Sequence, residues 1–442
     1  CFFLGGFPLF FSANPPPPPS PSPSSPAPVP PSPYASLHLL AGVSPFPLVS
    51  LLSLVYEHPQ QGAEALAAYL STPGCGSGLK RLDISSTGSD LTALSMALCD
   101  PKCAHVPLES VSVGGSALTA DSTRAFASLL AAGSHAISAL NMSRVINHNE
   151  NVRHLKKDSE AVETIVASLV LNPTLRTTSL RIAENHITTG LARKLASMCA
   201  MSTSLISLDV SDCDMGDAAL ALLCRGFAEC RSPRLEVFRC GRNSKASDDS
   251  GGAGKWLARL VERSHHLRVL SVPGGRSGGH HLNPRAKQLW SIDLSPLFVV
   301  MQKKQQLAGG EASGGASGGA RKKDSADESA PLALEELDIS CNGLLDSHMQ
   351  SLQSALRENT SLRKLAWQGN DTTFQCVRNF SHLLHVNGAL TDIGSFESSA
   401  TDKSQHTRDL IGRIREKLTE NAAKLARLKR VQSRSKNNNK KR

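Results

Sequence analysis

The amino-acid sequence predicts an α/β solenoid of about ten strand–helix units, each 28–30 residues long, with a parallel concave sheet and a C-terminal helical cap. Three observations lead to this fold class. A short apolar motif recurs with a nearly fixed period, an amphipathic stretch follows most copies, and aromatic residues make up only 4% of the 442 residues. So few aromatic side chains suit a core of many thin aliphatic layers.

The recurring motif carries apolar residues at its first, fourth and sixth positions, and asparagine or cysteine at the ninth position of its best copies. Clear copies are LKRLDISST, LESVSVGGS, LISLDVSDC, LEVFRCGRN, LEELDISCN and LRKLAWQGN, which begin at residues 79, 108, 205, 235, 334 and 362. Weaker copies begin at residues 137, 177, 267 and 390. Starts at 79, 108 and 137 lie 29 residues apart, a period typical of helix-containing leucine-rich repeats.

Each unit is predicted to contain one strand and one helix. The alternating apolar residues of the motif match a strand with one buried face. After it, residues such as Leu220, Leu223 and Phe227 recur at helical spacing. Strands inside and helices outside bend such an array into a horseshoe. The ninth position is assigned to a turn, where an amide side chain can bond unpaired backbone groups. Asparagine occupies this position at Asn185, Asn243, Asn342 and Asn370.

Composition divides the rest of the chain. Residues 1–50, which are mostly proline-rich, are predicted to be disordered, and residues 51–395 to form the solenoid. A glycine-, alanine- and serine-rich insertion at 308–329 is predicted to be disordered within it. Residues 407–430 form an amphipathic pattern that indicates a capping helix, and residues 431–442 are predicted to be a basic disordered tail.

The formal net charge of +10 is concentrated at the C-terminal end. Residues 407–442 hold thirteen Lys and Arg against three Asp and Glu. This distribution favours a tail that contacts acidic protein, membrane phospholipid or RNA, and it does not indicate a basic body wrapped around nucleic acid. The alternative is a solvated tail without a partner. The candidate tail contacts are Lys429, Arg430, Arg434, Lys436, Lys440, Lys441 and Arg442.

The sequence shows no catalytic, cofactor-binding or metal-binding pattern, so the chain is not predicted to be an enzyme and no cofactor is expected. The adjacent histidine pairs, His265 with His266 and His280 with His281, have no cysteine or carboxylate at ligand spacing. The glycine runs lack the Lys-Ser/Thr ending of a phosphate-binding loop. No G-x-S-x-G nucleophile elbow is expected at a turn from a strand into a helix.

Eleven cysteines are scattered along the chain without a C-x-x-C pair. A disulfide framework is not expected in a protein of this size, and most of these cysteines fall inside the repeats, where they serve as small apolar residues. We therefore expect a reducing compartment and a cytoplasmic location, at the cytoskeleton or cell cortex, rather than an extracellular one.

Polar residues beside the buried strand positions form the candidate protein-binding surface. Their signs are mixed along the array, which suits a folded protein partner better than a uniform polyanion. Trp367, at the sixth position of its motif, is either a core residue or a contact anchor. The candidate concave-face residues are Lys80, Arg81, Asp83, Glu109, Ser207, Asp209, Glu236, Arg239, Arg268, Glu335, Glu336, Asp338, Arg363 and Lys364.

The 28-residue units, the phrase ENTSLRKLAWQGN and the terminal helix RIREKLTENAAKLARLK resemble the leucine-rich-repeat domain of the CARMIL family of actin-capping-protein regulators. The resemblance covers residues 79–430. It implies a non-enzymatic intracellular adaptor in actin-cytoskeleton regulation, with actin regulators as protein partners and a homodimer formed through the C-terminal helix. The alternative is a ribonuclease-inhibitor-like or innate-sensor-like repeat protein that binds a different protein ligand.

Overall fold

The computed structural model divides into two compact units, Cys1–Asn185 and His186–Arg442. Each unit is an alternation of short strands and helices, as the sequence predicts. The residues that the structure describes are 2–4, 7–9, 51–54, 59–72, 77–86, 91–116, 118–133, 135–145, 155–171, 177–230, 234–243, 252–276, 289–290, 292–310, 332–394 and 405–441.

The first unit pairs its strands mainly in parallel, in sequence order. The strands are β1 (Phe2–Leu4), β2 (Phe7–Leu9), β3 (Leu51–Leu54), β4 (Arg81–Asp83), β5 (Ser110–Ser112), β6 (Ala139–Asn141) and β7 (Ser179–Arg181). The helices are α1 (Pro59–Leu70), α2 (Thr92–Cys99), α3 (Ala120–Ala132) and α4 (Leu155–Leu171), with a 3-10 turn at Pro101–Cys103. From β3 to β7 every neighbouring pair is parallel, and β1 joins β2 and β3 by antiparallel pairing.

The second unit repeats the same plan. Its strands are β8 (Ser207–Asp209), β9 (Val237–Arg239), β10 (Val269–Ser271), β11 (Gly275–Arg276), β12 (Leu289–Trp290), β13 (Glu336–Asp338) and β14 (Lys364–Ala366). Its helices are α5 (Thr189–Met201), α6 (Asp217–Glu229), α7 (Gly252–Arg263), α8 (Ser295–Gly310), α9 (Asp346–Leu356), α10 (Phe374–Val386) and α11 (Gln405–Lys441). The parallel order is β8, β9, β10, β13, β14, while β11 and β12 form a separate antiparallel pair.

The register of the strands follows the sequence motif. Each repeat strand begins two residues after a predicted motif start, and Asp392, two residues after the start at 390, forms an isolated parallel bridge with Lys364. The fourth motif residue of one repeat therefore pairs with the fourth motif residue of the next repeat, as Leu270 does with Leu337. These residues are buried, since the pleat turns them towards the helices. The predicted α/β repeat fold with a C-terminal helix is confirmed.

The ninth-position asparagines hold the turns that follow the strands. The Asn243 side chain accepts from the backbone N–H of Cys213 at 2.7 Å and donates to the carbonyls of Val210 at 2.6 Å and Cys240 at 3.0 Å. Asn185, Asn342 and Asn370 make bonds of the same kind and are also buried. One amide side chain thus satisfies backbone groups of two successive repeats, which confirms the structural role predicted for these residues.

The N-terminal boundary needs correction. The sequence predicts disorder over residues 1–50, but the structure places β1 and β2 within that range. Both strands are apolar tripeptides, and in the sequence they flank Gly5-Gly6, a dipeptide that favours a hairpin turn. Their pairing with β3 gives the apolar residues a sheet to join. Residues 10–50 lie outside the described part of the chain.

Two further boundaries also need correction. The helix predicted at 407–430 extends over Gln405–Lys441 in α11, so the predicted disordered tail at 431–442 is helical through Lys441. No glycine or proline follows Gly412, and basic residues near a helix C-terminus are stabilised by the helix dipole. In the same way α8 runs to Gly310, into the start of the insertion predicted at 308–329, and the rest of that insertion lies outside the described residues.

Trp367 is a core residue. Its side chain is buried and stacks on the ring of Phe380 from α10, with ring centroids 4.8 Å apart. This position decides between the two interpretations of Trp367 that the sequence leaves open. The contact joins the residue directly after β14 to the helix of the same repeat.

Candidate functional site

The candidate site is the open face of the sheet, the side of the repeat strands that is not covered by helices. Strand side chains alternate between the buried core and this face. All fourteen residues that the sequence selects as concave-face candidates are exposed or half-buried, and none of them is buried. The structure therefore brings them to one kind of surface in each unit. Their role in binding remains a prediction.

In the second unit, the open face carries a row of alternating charges along one edge. The Arg268 guanidinium donates two hydrogen bonds to the carboxylate of Glu335, at 3.1 and 2.8 Å. Its other terminal nitrogen lies 3.8 Å from the carboxylate of Glu236, the residue directly before the neighbouring strand β9. Arg363 continues the row and donates to the backbone carbonyl of Ala389 at 3.1 Å. A two-pronged Arg–carboxylate contact fixes both side chains more firmly than a single contact would.

A second charged row runs beside the first. The Lys364 ammonium donates to the Glu336 carboxylate at 2.7 Å, between neighbouring strands β14 and β13. The hydrogen bond with Glu336 raises the pKa of Lys364, and the charge of Asp392 adds to the effect. Further along the strands, the Ser271 hydroxyl donates to Asp338 at 3.3 Å. The open face of this unit is therefore a charged surface whose ion pairs link neighbouring repeats.

The Arg268 pair sets the ionisation of Glu335. The hydrogen bond from Arg268 lowers the pKa of the Glu335 carboxyl, with smaller contributions from the charges of Lys429 and Arg363. We expect Arg268→Ala to raise this pKa towards the ordinary glutamate value of about 4.3. Carbon-13 NMR of the side-chain carboxyl during a pH titration measures it. Arg239→Ala, on the same face but away from Glu335, is the control, and an unshifted Glu335 in the Arg268 variant would contradict the prediction.

The sign of the accompanying stability effect follows from the same shift. Because the folded-state pKa of Glu335 lies below its unfolded value, the ion pair stabilises the fold fully above about pH 4.3. That stability is lost as the pH falls through the folded-state value. Both side chains are largely exposed to solvent, so we expect screening to keep this stability effect small.

The described open face of the first unit carries neutral polar contacts beside its ion pair. Lys80 pairs with Glu109 at 2.8 Å across β4 and β5. Next to them, the hydroxyls of Ser85 and Ser112 are 2.6 Å apart, and the Asn141 amide donates to Ser112 at 2.9 Å. Hydroxyl and amide groups dominate this region, so charge complementarity contributes less here than in the second unit.

The sequence reasoning missed one row of surface residues at the eighth motif position. In most repeats the turn after the strand has a left-handed residue there, which is unusual for side chains other than glycine. Two ion pairs arise in this row, Arg144 with Glu184 and Arg242 with Asp212, both at 3.3 Å. The sequence signal that could have identified these residues is their position directly before the ninth motif residue. Residues with positive φ at this position are Ser86, Arg144, Glu184, Asp212, Arg242 and Cys341.

A cavity of about 500 Å³ opens at the edge of the first charged row. Its lining includes Arg268, Glu335, Arg363 and the histidine pair His265 and His266. His266 is exposed and His265 half-buried, as expected for the loop that leads into β10. The second histidine pair, at 280–281, lies outside the described residues.

The described residues contain no group of three or more His, Cys, Asp or Glu side chains that could hold a metal ion. The cysteines that the structure describes are thiols and form no disulfide, and most of them are buried. Burial raises the pKa of the Cys199 and Cys240 thiols, and it raises that of Cys376 to about 12. Thiols that stay protonated at neutral pH are poor nucleophiles, which agrees with a packing role.

The parallel strands, the helices between them and the buried asparagine of each turn define a leucine-rich-repeat protein. A fold of this class is a protein-binding scaffold. The sequence of this chain resembles that of the ribonuclease inhibitor of Sus scrofa, with 25% identity over 69% of this chain and 60% of the inhibitor. It also resembles Protein CARMIL of Dictyostelium discoideum, with 23% identity over 71% of this chain and 25% of that protein.

A third relative is the NACHT, LRR and PYD domains-containing protein 3 of Macaca mulatta, 26% identical over 53% of this chain and 24% of that protein. The chain thus spans less than two thirds of each of these relatives. No known protein-family profile matches it. Among solved structures, the yeast Rad7 and Elc1 complex aligns with a TM-score of 0.42 and 12% identity, over 78% of this chain and 75% of that one. Among the described residues, no helix has both the length and the apolar character needed to cross a bilayer.

Proposed function

We propose that this chain is a non-enzymatic protein-interaction scaffold whose open face binds actin regulators, in the manner of an adaptor in actin-cytoskeleton regulation. The observation that carries the proposal is the charged open face of the second unit, where Arg268, Glu335, Glu336 and Lys364 are held by ion pairs yet remain accessible. Fixed side chains lose little conformational freedom when a partner binds. We place this function in the cytoplasm, at the cytoskeleton or cell cortex.

The mixed signs of this face support a folded protein as partner. Glu335 stands beside Arg268 and Glu336 beside Lys364, so a partner with a complementary pattern aligns in one register, whereas a uniform polyanion meets repulsion at both glutamates. The likeness to CARMIL supports the choice of actin regulators. The likeness to ribonuclease inhibitor and to a NACHT-containing protein supports the alternative, a repeat protein with a different protein ligand.

The test is affinity capture from cell lysate on the full chain, followed by mass spectrometry. Recovery of actin regulators supports the cytoskeletal adaptor, whereas recovery of nucleases or of nucleotide-sensor components supports the alternative. We expect Arg363→Glu with Lys364→Glu to weaken capture about a hundredfold, because each reversal places like charges against the partner.

A matched variant keeps the net charge change but moves it to the helices. Lys255→Glu with Arg357→Glu alters two exposed basic residues, one on α7 and one at the end of α9. We expect this variant to capture the same proteins as the unchanged chain. Equal loss in both variants, or loss in the helix variant alone, would contradict the assignment of binding to the open face.

A further inference from the structure

Helix α11 has two parts with different surroundings. Up to Asn421 it is anchored to the last repeat: Ile414 is fully buried, and the Asn421 amide donates to the carbonyls of Asn387 at 3.1 Å and Leu390 at 2.9 Å. From residue 422 to 437 the side chains are exposed, apart from the half-buried Leu425. We call residues 422–437 the outer segment. It extends over about 24 Å of helix.

The outer segment carries six basic residues and no acidic one. Arg427, Arg430 and Arg434 lie three and four residues apart, so like charges are neighbours on the helix surface and disfavour the helix when it stands alone. Of the six, Lys429 is near enough to the body to lower the pKa of Glu335. A surface of opposite charge would relieve this repulsion. The basic residues are Lys424, Arg427, Lys429, Arg430, Arg434 and Lys436.

The same segment also exposes an apolar strip. Leu425, Leu428 and Val431 follow at intervals of three residues and therefore lie on one side of the helix. Leu428 is 50% exposed and Val431 is 64% exposed. Exposed large apolar side chains next to a basic surface are typical of helices that lie in a membrane interface.

We propose that the outer segment binds the surface of a membrane that contains acidic phospholipids, with the α11 axis parallel to the bilayer. Such a surface supplies phosphate and carboxylate groups for the cations and an acyl boundary for Leu428 and Val431. A nucleic-acid groove supplies phosphates but little apolar surface. The Debye length of about 8 Å approaches the helix diameter of about 10 Å, so arginines on the far side also feel the membrane charge.

This inference does not depend on the proposed binding of actin regulators. Lys429 of the outer segment acts on Glu335 of the open face, so the outer-segment variants leave Lys429 unchanged, and they also leave Arg363 and Lys364 in place. Protein capture and membrane binding can therefore succeed or fail separately. If both occur, the membrane holds the scaffold at the cell cortex.

The experiment is cosedimentation of the full chain with phosphatidylcholine vesicles that contain about one quarter phosphatidylserine, at low and at raised salt. We expect binding that falls as salt rises and that is absent with phosphatidylcholine alone. Lys424→Gln, Arg430→Gln and Lys436→Gln together should weaken binding about a hundredfold. Leu428→Gln with Val431→Gln should weaken it about tenfold.

The matched control removes the same net charge from elsewhere by Lys102→Gln, Lys194→Gln and Lys255→Gln, three exposed positions. We expect this variant to bind vesicles like the unchanged chain, and circular dichroism confirms that each variant keeps its helix. Equal weakening by the control would overturn the proposal. So would unchanged binding by the Leu428 and Val431 variant, or tighter binding to duplex DNA or RNA than to the acidic vesicles.

Discussion

Asn370→Ala should reduce the free energy of unfolding by about 3 to 5 kcal/mol. The Asn370 side chain accepts from the backbone N–H groups of Asn342 at 2.8 Å and Leu344 at 3.1 Å. It also donates to the carbonyls of Ile339 at 3.1 Å and Trp367 at 2.6 Å. Alanine would leave four backbone groups without this partner in a buried turn, where water cannot easily replace it.

Urea denaturation followed by circular dichroism measures this effect. The matched control is Asn379→Ala, which changes the same residue type on the half-buried surface of α10 and should alter stability by no more than about 0.5 kcal/mol. If Asn370→Ala reduced the free energy of unfolding by less than about 1 kcal/mol, the side-chain hydrogen bonds of Asn370 would not be a main source of stability in this turn.

Gly254→Ala should have the second largest effect and reduce the free energy of unfolding by about 3 kcal/mol. A Cβ atom at Gly254 would overlap the backbone carbonyl oxygen of Asp293, because α7 passes close to the segment that leads into α8. Backbone atoms cannot turn aside as a flexible side chain can, so the helix or the segment must shift. The measurement is the urea midpoint at fixed pH.

Gly412→Ala is the matched substitution with the opposite expected sign. It lies in α11, and an added Cβ there would meet no atom within 4 Å. Alanine in an exposed helix interior is favoured over glycine by about 0.5 to 1 kcal/mol, so this variant should be more stable than the unchanged chain. Destabilisation by both variants, or by neither, would contradict the packing described for α7.

Most of the fold could be predicted because the motif fixes both the position and the facing of each strand. Leu337 and Leu365 occupy the fourth motif position, and both are buried where the period places them. The burial of Asn342 and Asn370 likewise follows from their place in the motif. Repetition makes the prediction robust, since ten copies of a weak signal agree.

The length of α11 and the pairing of the surface charges could not be predicted from the repeat period. The length of α11 is set by helix propensity after the last repeat, where no motif marks an end. The two-pronged contact of Arg268 with Glu335 depends on side-chain rotamers, although the motif places the two residues directly before neighbouring strands. The sequence therefore predicts which residues face outward, but not which of them pair.

The direct pairing of β10 with β13 shows how this architecture can gain sequence. Val269 and Glu336 are register partners although 67 residues separate them, more than twice the usual interval. Lengthening a loop carries only a slowly growing entropic cost, about 0.6 kcal/mol for each doubling. Evolution can therefore extend one repeat, with its own helix and hairpin, and leave the alignment of the following strands intact. A new surface can arise in this way without a new fold.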